Sequence, residues 1–417
     1  MHVIVIGAGI IGVTTAYELR RCGFDVTVIE RREGVAQEAS YANAGVIAPA
    51  YVAPWAQPGM LAKVLRGFLQ REAPVVFRPQ VDRALWRWLW TWFRECNPER
   101  FRRNKSRMLR LAAYSRDQLH IVRERHSFSY EQSQSFLQLF RSEEELERNA
   151  PARRMLVEAG VPHELLDAVQ CRSVEPALHD GTRLAGGLLL LEDETGNCAH
   201  FARLLKQVCS ADGVVFRFNA VVDGLLREGD SVHAVRIGGE SLAADAVIVA
   251  AGADSAQLLA PLGIKPPLYP MKGYSATVAI NRHEHAPVLS VMDETYKVAI
   301  TRLGNRLRIA GTAEIGSRRL FVRASALRTL LKVASDWFPH AASYAQATYW
   351  VGARPMLADG PPVLGRTRVR NLFVNLGHGS SGWAMACGSA RIVADIVAGR
   401  TPEIDIDGLT LERYGAH

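Results

Sequence analysis

The hydrophobic positions change period several times along the chain. His2 to Ile6 is a short apolar run with β-branched residues, the pattern of a buried parallel strand. From there a helical pattern runs to about Arg21, and Gly23 is placed to stop it. Asp25 to Ile29 reads as a second strand that ends at Glu30. Val214 to Val222 has strand character, and 244–255 (ADAVIVAAGADS) reads as a strand running into Ala-Gly. The segment 268–311 holds several alternating runs with turns between them, which is antiparallel-sheet patterning. Late in the chain, Leu372 to Val374 breaks into Gly377-His378-Gly379-Ser380-Ser381-Gly382, and a helical pattern follows.

These periods predict an α/β fold: a Rossmann-like domain interleaved with an α+β domain built on an antiparallel sheet. The first domain is expected to gather 1–60, 185–265 and 350–417. The second takes 61–184 and 266–349. A chain of 417 residues is too long for one ordinary core, in keeping with two domains.

At 48% hydrophobic and 22% charged, the composition is globular rather than disordered. The six cysteines are scattered and form no C-x-x-C pair, which argues against a zinc site and against a disulfide framework. A reducing, cytoplasmic compartment fits that usage. The first residues show no signal-peptide pattern, and no run of 18 apolar residues suggests a membrane span. The net charge of +8 suits nucleic acid, anionic lipid or anionic substrates and does not choose among them.

The first strand carries the earliest chemical signal. Val3, Ile4, Val5 and Ile6 lead into Gly7, Ala8 and Gly9, followed by Ile10, Ile11 and Gly12. Val13, Thr14, Thr15, Ala16 and Tyr17 continue the helix. G-x-G-x-x-G between a strand and a helix is the dinucleotide-binding fingerprint. Its first glycine makes the tight turn, its second admits a pyrophosphate, and its third lets helix pack on strand. The helix N-terminus offers free N–H groups to the phosphates. Glu30, 18 residues past Gly12 and followed by Arg31, stands where a carboxylate accepts bonds from ribose hydroxyls and repels a 2′-phosphate. The same turn could pack helix on strand with no ligand.

The fingerprint alone does not separate FAD from NAD. FAD is long, and its isoalloxazine needs a second anchor. The late turn, Gly377, His378, Gly379, Ser380, Ser381 and Gly382, can bring backbone N–H groups and a helix N-terminus to that ring. The alternative is a glycine-rich cap without a ligand. The stretch 40–59 (SYANAGVIAPAYVAPWAQPG) has no charged residue, unlike an ordinary surface loop. It is expected to lie along a planar, partly buried group, with Ser40 and Asn43 as hydrogen-bonding residues and Ala44-Gly45 as a close approach. Val222 is a candidate for adenine, and Gly252 for close approach to the cofactor.

Arg354 stands alone at a strand end before Pro355. A guanidinium is costly to bury unless paired, and it binds a carboxylate through two parallel hydrogen bonds. A structural ion pair is the plainer alternative. Tyr274 and Tyr296 are candidates for substrate contact, although tyrosine is more often core. His378 is either a backbone donor in a tight turn or a proton acceptor. No metal site is expected.

Residues 83–107 hold four of the eight tryptophans, with eight Lys/Arg against two Glu. This segment is the candidate for a peripheral membrane contact, the alternative being a core helix with a solvated basic face. Nothing resembles a nucleic-acid reader.

Taken together, VIVIGAGIIGVTTAYEL, the 40–59 stretch, LEDETGNC (191–198), YPMKGYS (269–275), DETYKVAITR (293–302), GARPMLADGPPVLGRT and LGHGSSGWAMACGS resemble the bacterial D-amino acid dehydrogenase small subunits. These belong to the D-amino acid oxidase superfamily. The resemblance runs from residue 1 to about 414. It implies FAD as the cofactor and oxidative deamination of a small D-amino acid to a 2-oxo acid and ammonia. It also implies transfer of electrons to a quinone or other acceptor at the membrane, which would place the protein on the inner face of the plasma membrane. Arg354 matches the arginine that holds the substrate carboxylate, Tyr274 its partner tyrosine, and 377–382 the loop at the flavin pyrimidine end. A homo- or hetero-oligomer stays open. Tyr41, Ser380-Ser381 and Ala353 depart from the pattern. They leave a choice between D-alanine-like substrates and cyclic D-imino acids such as cis-4-hydroxy-D-proline or D-proline.

Overall fold

The computed structural model describes residues 1–60, 74–78, 80–316 and 319–415. The first strand, His2–Ile6, pairs in parallel with Asp25–Ile29 on one side and with Ala246–Val249 on the other. Val215–Arg217 and Leu372–Leu376 extend this sheet in parallel, and Val363–Arg366 closes it antiparallel, giving six strands. The pleat divides the first strand cleanly between two cores. Val3 and Val5 pack under the helices Ile10–Arg21, Cys198–Ala211 and Gly382–Val397. Ile4 and Ile6 pack on the other face against Val232, Val235 and Ile237 of a three-stranded antiparallel sheet. A run apolar at every position is what a strand covered on both faces requires.

The larger sheet is mixed and mostly antiparallel. Its main path runs Thr348–Leu357, Leu268–Ala279, Arg306–Ile315, Val298–Leu303, Ser290–Asp293, Ser133–Phe140, Gly186–Thr195 and Val46–Ile47. The helix Ala324–Trp337 covers one face, burying Leu330, Val333 and Trp337 against Ile300, Leu307 and Ile309. The strands expected across 268–311 are all present. Gly186–Thr195, Thr348–Leu357 and Val46–Ile47 all belong to the larger sheet, although they fall wholly or mostly within the ranges expected of the first domain. Strand pairing, which acts at long range, decides their membership, and local pattern does not report it.

The tryptophan-rich segment forms the helix Arg83–Glu95, followed by Pro98–His126. Both begin with side-chain caps. Asp82 accepts from the N–H of Ala84 at 2.8 Å, and Asn97 from that of Glu99 at 2.9 Å. All six cysteines are free thiols.

Candidate active site

The two sheets meet at a cavity of about 1880 Å³. A pocket for a small ligand is usually about 300–1,000 Å³, so this one has room for a long cofactor and a substrate together. Both glycine turns open into it.

At the first turn the three glycines have different reasons to be glycine. Gly7 has φ +103°, and a Cβ there would lie 2.6 Å from the carbonyl oxygen of Ala250. A Cβ at Gly12 would lie 1.8 Å from the carbonyl oxygen of Gly7, where the helix crosses the strand. The fold itself therefore accounts for both. Gly9 is different: its Cβ would touch only Ser40 Oγ, at 3.4 Å, and the position lines the cavity. Bare backbone left free beside a void is the shape a pyrophosphate needs. Glu30 is fixed by two backbone N–H groups, Ala8 to Oε2 at 2.7 Å and Arg32 to Oε1 at 2.8 Å. A carboxylate has about four lone-pair sites, so it keeps acceptor capacity toward the cavity.

The rest of this end is assembled by side chains. Ser40 Oγ accepts from the N–H of Ile10 at 3.0 Å. Asn43 Oδ1 accepts from the N–H of Gly45 at 3.0 Å, and Thr301 Oγ1 donates to the carbonyl of Ala44 at 2.8 Å. Arg31 pairs with Glu38 and Asp254. Val222 and Gly252 line the cavity. The uncharged stretch follows the cavity wall from Ser40 to Gln57, as its composition suggested.

At the late turn, Leu372–Leu376 leads to Gly377 at φ +81°, and the helix Gly382–Val397 begins after Ser381. Among the described residues no side chain caps that helix. Gly377, Gly379, Ser380, Ser381 and Gly382 all border the cavity. The uncapped N–H groups of the first turn thus lie where negative charge would be favoured. His378 also borders the cavity, yet its ring is buried, with Nε2 3.0 Å from Ser389 Oγ. Burial pushes its pKa down to about 3, so the ring is neutral and a weak base.

Arg354 and Tyr274 both border the cavity from paired strands of the larger sheet, but Arg354 is opposite Met271 and Tyr274 is opposite Val351, so their side chains leave opposite faces and the Tyr274 ring is buried in the core under helix Ala324–Trp337. Among the described residues no carboxylate pairs with Arg354, and burial lowers its pKa to about 10. Its guanidinium rests beside the bare backbone of Gly273, where a Cβ would lie 2.5 Å from Nη2. Tyr274 donates to Glu314 Oε2 at 2.8 Å, and burial first and that carboxylate second push its pKa up. Glu314 is buried and would resist ionising on that ground alone. Hydrogen bonds from Lys272 and Tyr274 and the charges of Lys272 and Arg323 outweigh the burial and hold its pKa below the usual value.

Several expected residues lie elsewhere. Tyr296 does not line the cavity. Its hydroxyl accepts from Lys332 Nζ at 3.2 Å, and its ring packs under Arg141. As the residue after Thr295 in a turn, it points to the opposite side of the sheet from Lys297 and into the core under helix Ala324–Trp337. Val3, Ile4, Val5, Ala8, Gly12, Val13, Thr14, Thr15, Ala16 and Tyr17 support the glycine turn from within and do not border the cavity, and neither does Gly45. Conversely, Lys105, Trp55, Glu38 and Asp254 line the cavity without having been singled out. Lys105 is buried with no ion partner among the described residues, and burial lowers its pKa. A cation in the run 100–107 looks like part of a solvated face, so only packing reveals it.

A parallel sheet with a dinucleotide turn, joined to a sheet that presents an unpaired arginine to the same cavity, defines a dinucleotide-dependent oxidoreductase of a small anionic substrate. The chain belongs to the FAD dependent oxidoreductase family, whose description matches residues 2–396. It is 47% identical to a D-amino acid dehydrogenase of Cereibacter sphaeroides over 418 residues, covering all of this chain and 96% of that one. It is 46% identical to a D-amino acid dehydrogenase of Methylobacterium radiotolerans over 419 residues, covering all of both. Among solved structures, glycine oxidase from Geobacillus kaustophilus superposes with a TM-score of 0.75 at 23% identity, covering 98% of this chain and 97% of that one. An L-proline dehydrogenase from P. horikoshii gives 0.75 at 18% identity, covering 99% and 97%. At such identities these two likenesses concern the fold alone. The bare backbone at Gly9, the held Glu30 and the uncapped late helix fit FAD, and the protein is an FAD-dependent enzyme.

Proposed function

We propose that the protein oxidises small D-amino acids to 2-oxo acids and ammonia and passes the electrons to a quinone or similar acceptor. The observation that carries the substrate class is Arg354, a half-buried guanidinium without a carboxylate partner among the described residues, facing the same cavity as both glycine turns. An uncompensated half-buried charge is costly, and a substrate carboxylate would relieve it through two parallel hydrogen bonds. The names of the curated relatives favour D-amino acids over cyclic D-imino acids.

When bound, FAD supplies a two-electron acceptor. This chain supplies binding and orientation. Arg354 fixes the carboxylate end. Tyr274 commits its proton to Glu314 on the opposite face of the sheet from Arg354, so it does not touch the substrate. His378 stays neutral and bonded to Ser389, and acts through its backbone in the turn rather than as a base. The anaerobic visible spectrum tests this reading. Flavin bands should bleach with D-alanine, respond less to cis-4-hydroxy-D-proline and persist with L-alanine. Bands that persist with every D-amino acid would overturn it.

The acceptor reading has its own support in the helix Arg83–Glu95. Leu85, Trp88 and Trp92 are buried in the core, and Trp88 Nε1 donates to the carbonyl of Met356 at 3.0 Å. The opposite face exposes Trp86, Trp90 and Phe93 beside Arg83, Arg87 and Arg94, which form no ion pair among the described residues. The helix thus serves the core with one face and has the amphipathic, cationic pattern of a bilayer-surface element on the other. Among the described residues no helix is long and apolar enough to cross a membrane, so the contact would be peripheral. Sedimentation with anionic vesicles should fall when Trp86 and Trp90 are replaced by serine. Unchanged binding would remove this surface from the reading.

A further inference from the structure

Trp55 joins parts of the cavity wall that are far apart in the chain. It lies in the uncharged loop after the short helical turn Pro49–Tyr51 and borders the cavity. Its indole N–H donates to Ser380 Oγ in the late glycine turn at 3.1 Å. Its ring centroid lies 5.9 Å from the guanidinium carbon of Arg354. A contact of that kind is attractive to a cation and leaves the guanidinium N–H edges free for a carboxylate. A ligand held by Arg354 therefore has the indole as a neighbour.

A tryptophan on a loop would ordinarily be free to swing. Here the hydrogen bond to Ser380 ties the loop to the start of the late turn, and Pro54 packs against Gly360, where a Cβ would lie 2.8 Å from Pro54 Cβ. The ring is thus fixed as a wall. We infer that Trp55, latched by Ser380, is the specificity-determining residue of the substrate site. It limits the volume beside Arg354, so that small side chains are admitted and large aromatic ones are refused. The inference rests on the assignment of Arg354 to the substrate carboxylate.

Steady-state kinetics on D-alanine and D-phenylalanine with a soluble dye acceptor test it, with flavin content read from the visible spectrum. Trp55→Ala should raise the ratio of kcat/KM for D-phenylalanine to that for D-alanine by about tenfold or more, chiefly through KM for the larger substrate. Ser380→Ala, which frees the latch and keeps the indole, should move the ratio the same way by less. Ser380→Thr keeps a hydroxyl and should hold the ratio near that of the parent protein. Flavin-loaded Trp55→Ala with an unchanged ratio overturns the inference. If that variant loses its flavin, an unchanged ratio in Ser380→Ala overturns it instead. Should the parent protein oxidise neither D-amino acid, the functional reading falls and takes this inference with it. Should it oxidise D-alanine while the variants leave the ratio alone, this inference falls and the functional reading stands.

Discussion

The two ends of the cavity are built on different physical terms. The glycine-turn end is made of backbone: a strand, a turn at Gly7, a helix N-terminus and a carboxylate held by main-chain N–H groups. The Arg354 end is made of side chains from separate segments, and among the described residues the half-buried Arg354 has no counter-charge. Backbone sites cost little to keep without a ligand, because their N–H groups reach solvent or a cap. Buried charges destabilise the fold unless something compensates them. The first end is therefore expected to be stable in its own right, and the second to carry strain that substrate relieves.

The largest effect comes from separating the two kinds of glycine. Gly12→Ala places a methyl 1.8 Å from a backbone oxygen that has no room to move, and it should give little or no folded protein. Gly9→Ala meets only a side-chain hydroxyl at 3.4 Å. It should fold, with parent-like far-ultraviolet circular dichroism, and lose most of its flavin absorbance. If Gly9→Ala kept its flavin, the backbone end would be only a packing device and the contrast between the two ends would collapse.

Next in size is Arg354→Met. Loss of a charged, bidentate contact costs about 4 kcal/mol, or about 10³-fold in kcat/KM. The same change removes a half-buried charge without a counter-charge among the described residues, so the thermal midpoint of the substrate-free protein should hold or rise. Activity lost together with stability would mean that Arg354 is paired within the fold, the plainer alternative that its sequence context left open.

This difference in construction also governs what could be read from the sequence. Strand, G-x-G-x-x-G, helix and acid lie within thirty residues, and each step has a local pattern. The helix Ile10–Arg21 and the strands on either side follow those patterns closely. Arg354 was legible because a lone arginine stands out in an apolar strand. Its setting was not. Gly273, Trp55 and Ser380 come from three distant segments, and only sheet register and loop packing bring them to it. Tyr296 shows the converse. Its neighbours Thr295 and Lys297 line the cavity, and a turn sends the tyrosine itself into the core. For the tryptophan helix a residue count cannot assign faces but helical phase can: Leu85, Trp88 and Trp92 face the core, and Trp86 and Trp90 are exposed.

The smallest effect concerns a buried carboxylate toward the other edge of the larger sheet from Arg354. Asp193 lies in Gly186–Thr195 and accepts the N–H of Ala50 at 3.1 Å, which ties the cavity-lining loop to the larger sheet. Among the described residues its other oxygen has no hydrogen-bond partner. Burial raises its pKa to about 7, against a lesser opposing effect of the Ala50 N–H. The folded protein therefore holds this proton more tightly than the unfolded chain does. Its contribution to stability is complete below the unfolded pKa near 3.8 and is lost as pH rises through about 7. The slope in that window reaches about 1.4 kcal/mol per pH unit. Glu175, raised to about 7 chiefly by burial, adds a slope of the same sign in its own window. Asp193→Asn keeps the acceptor for Ala50 and removes the titration. It should be more stable than the parent by about 1–2 kcal/mol at pH 7.5, and that advantage should shrink by pH 5. Thermal midpoints of both proteins across that range decide the matter. An advantage that does not change with pH would mean that Asp193 is already compensated in the fold, and buried charge in the larger sheet would then cost less than the contrast supposes.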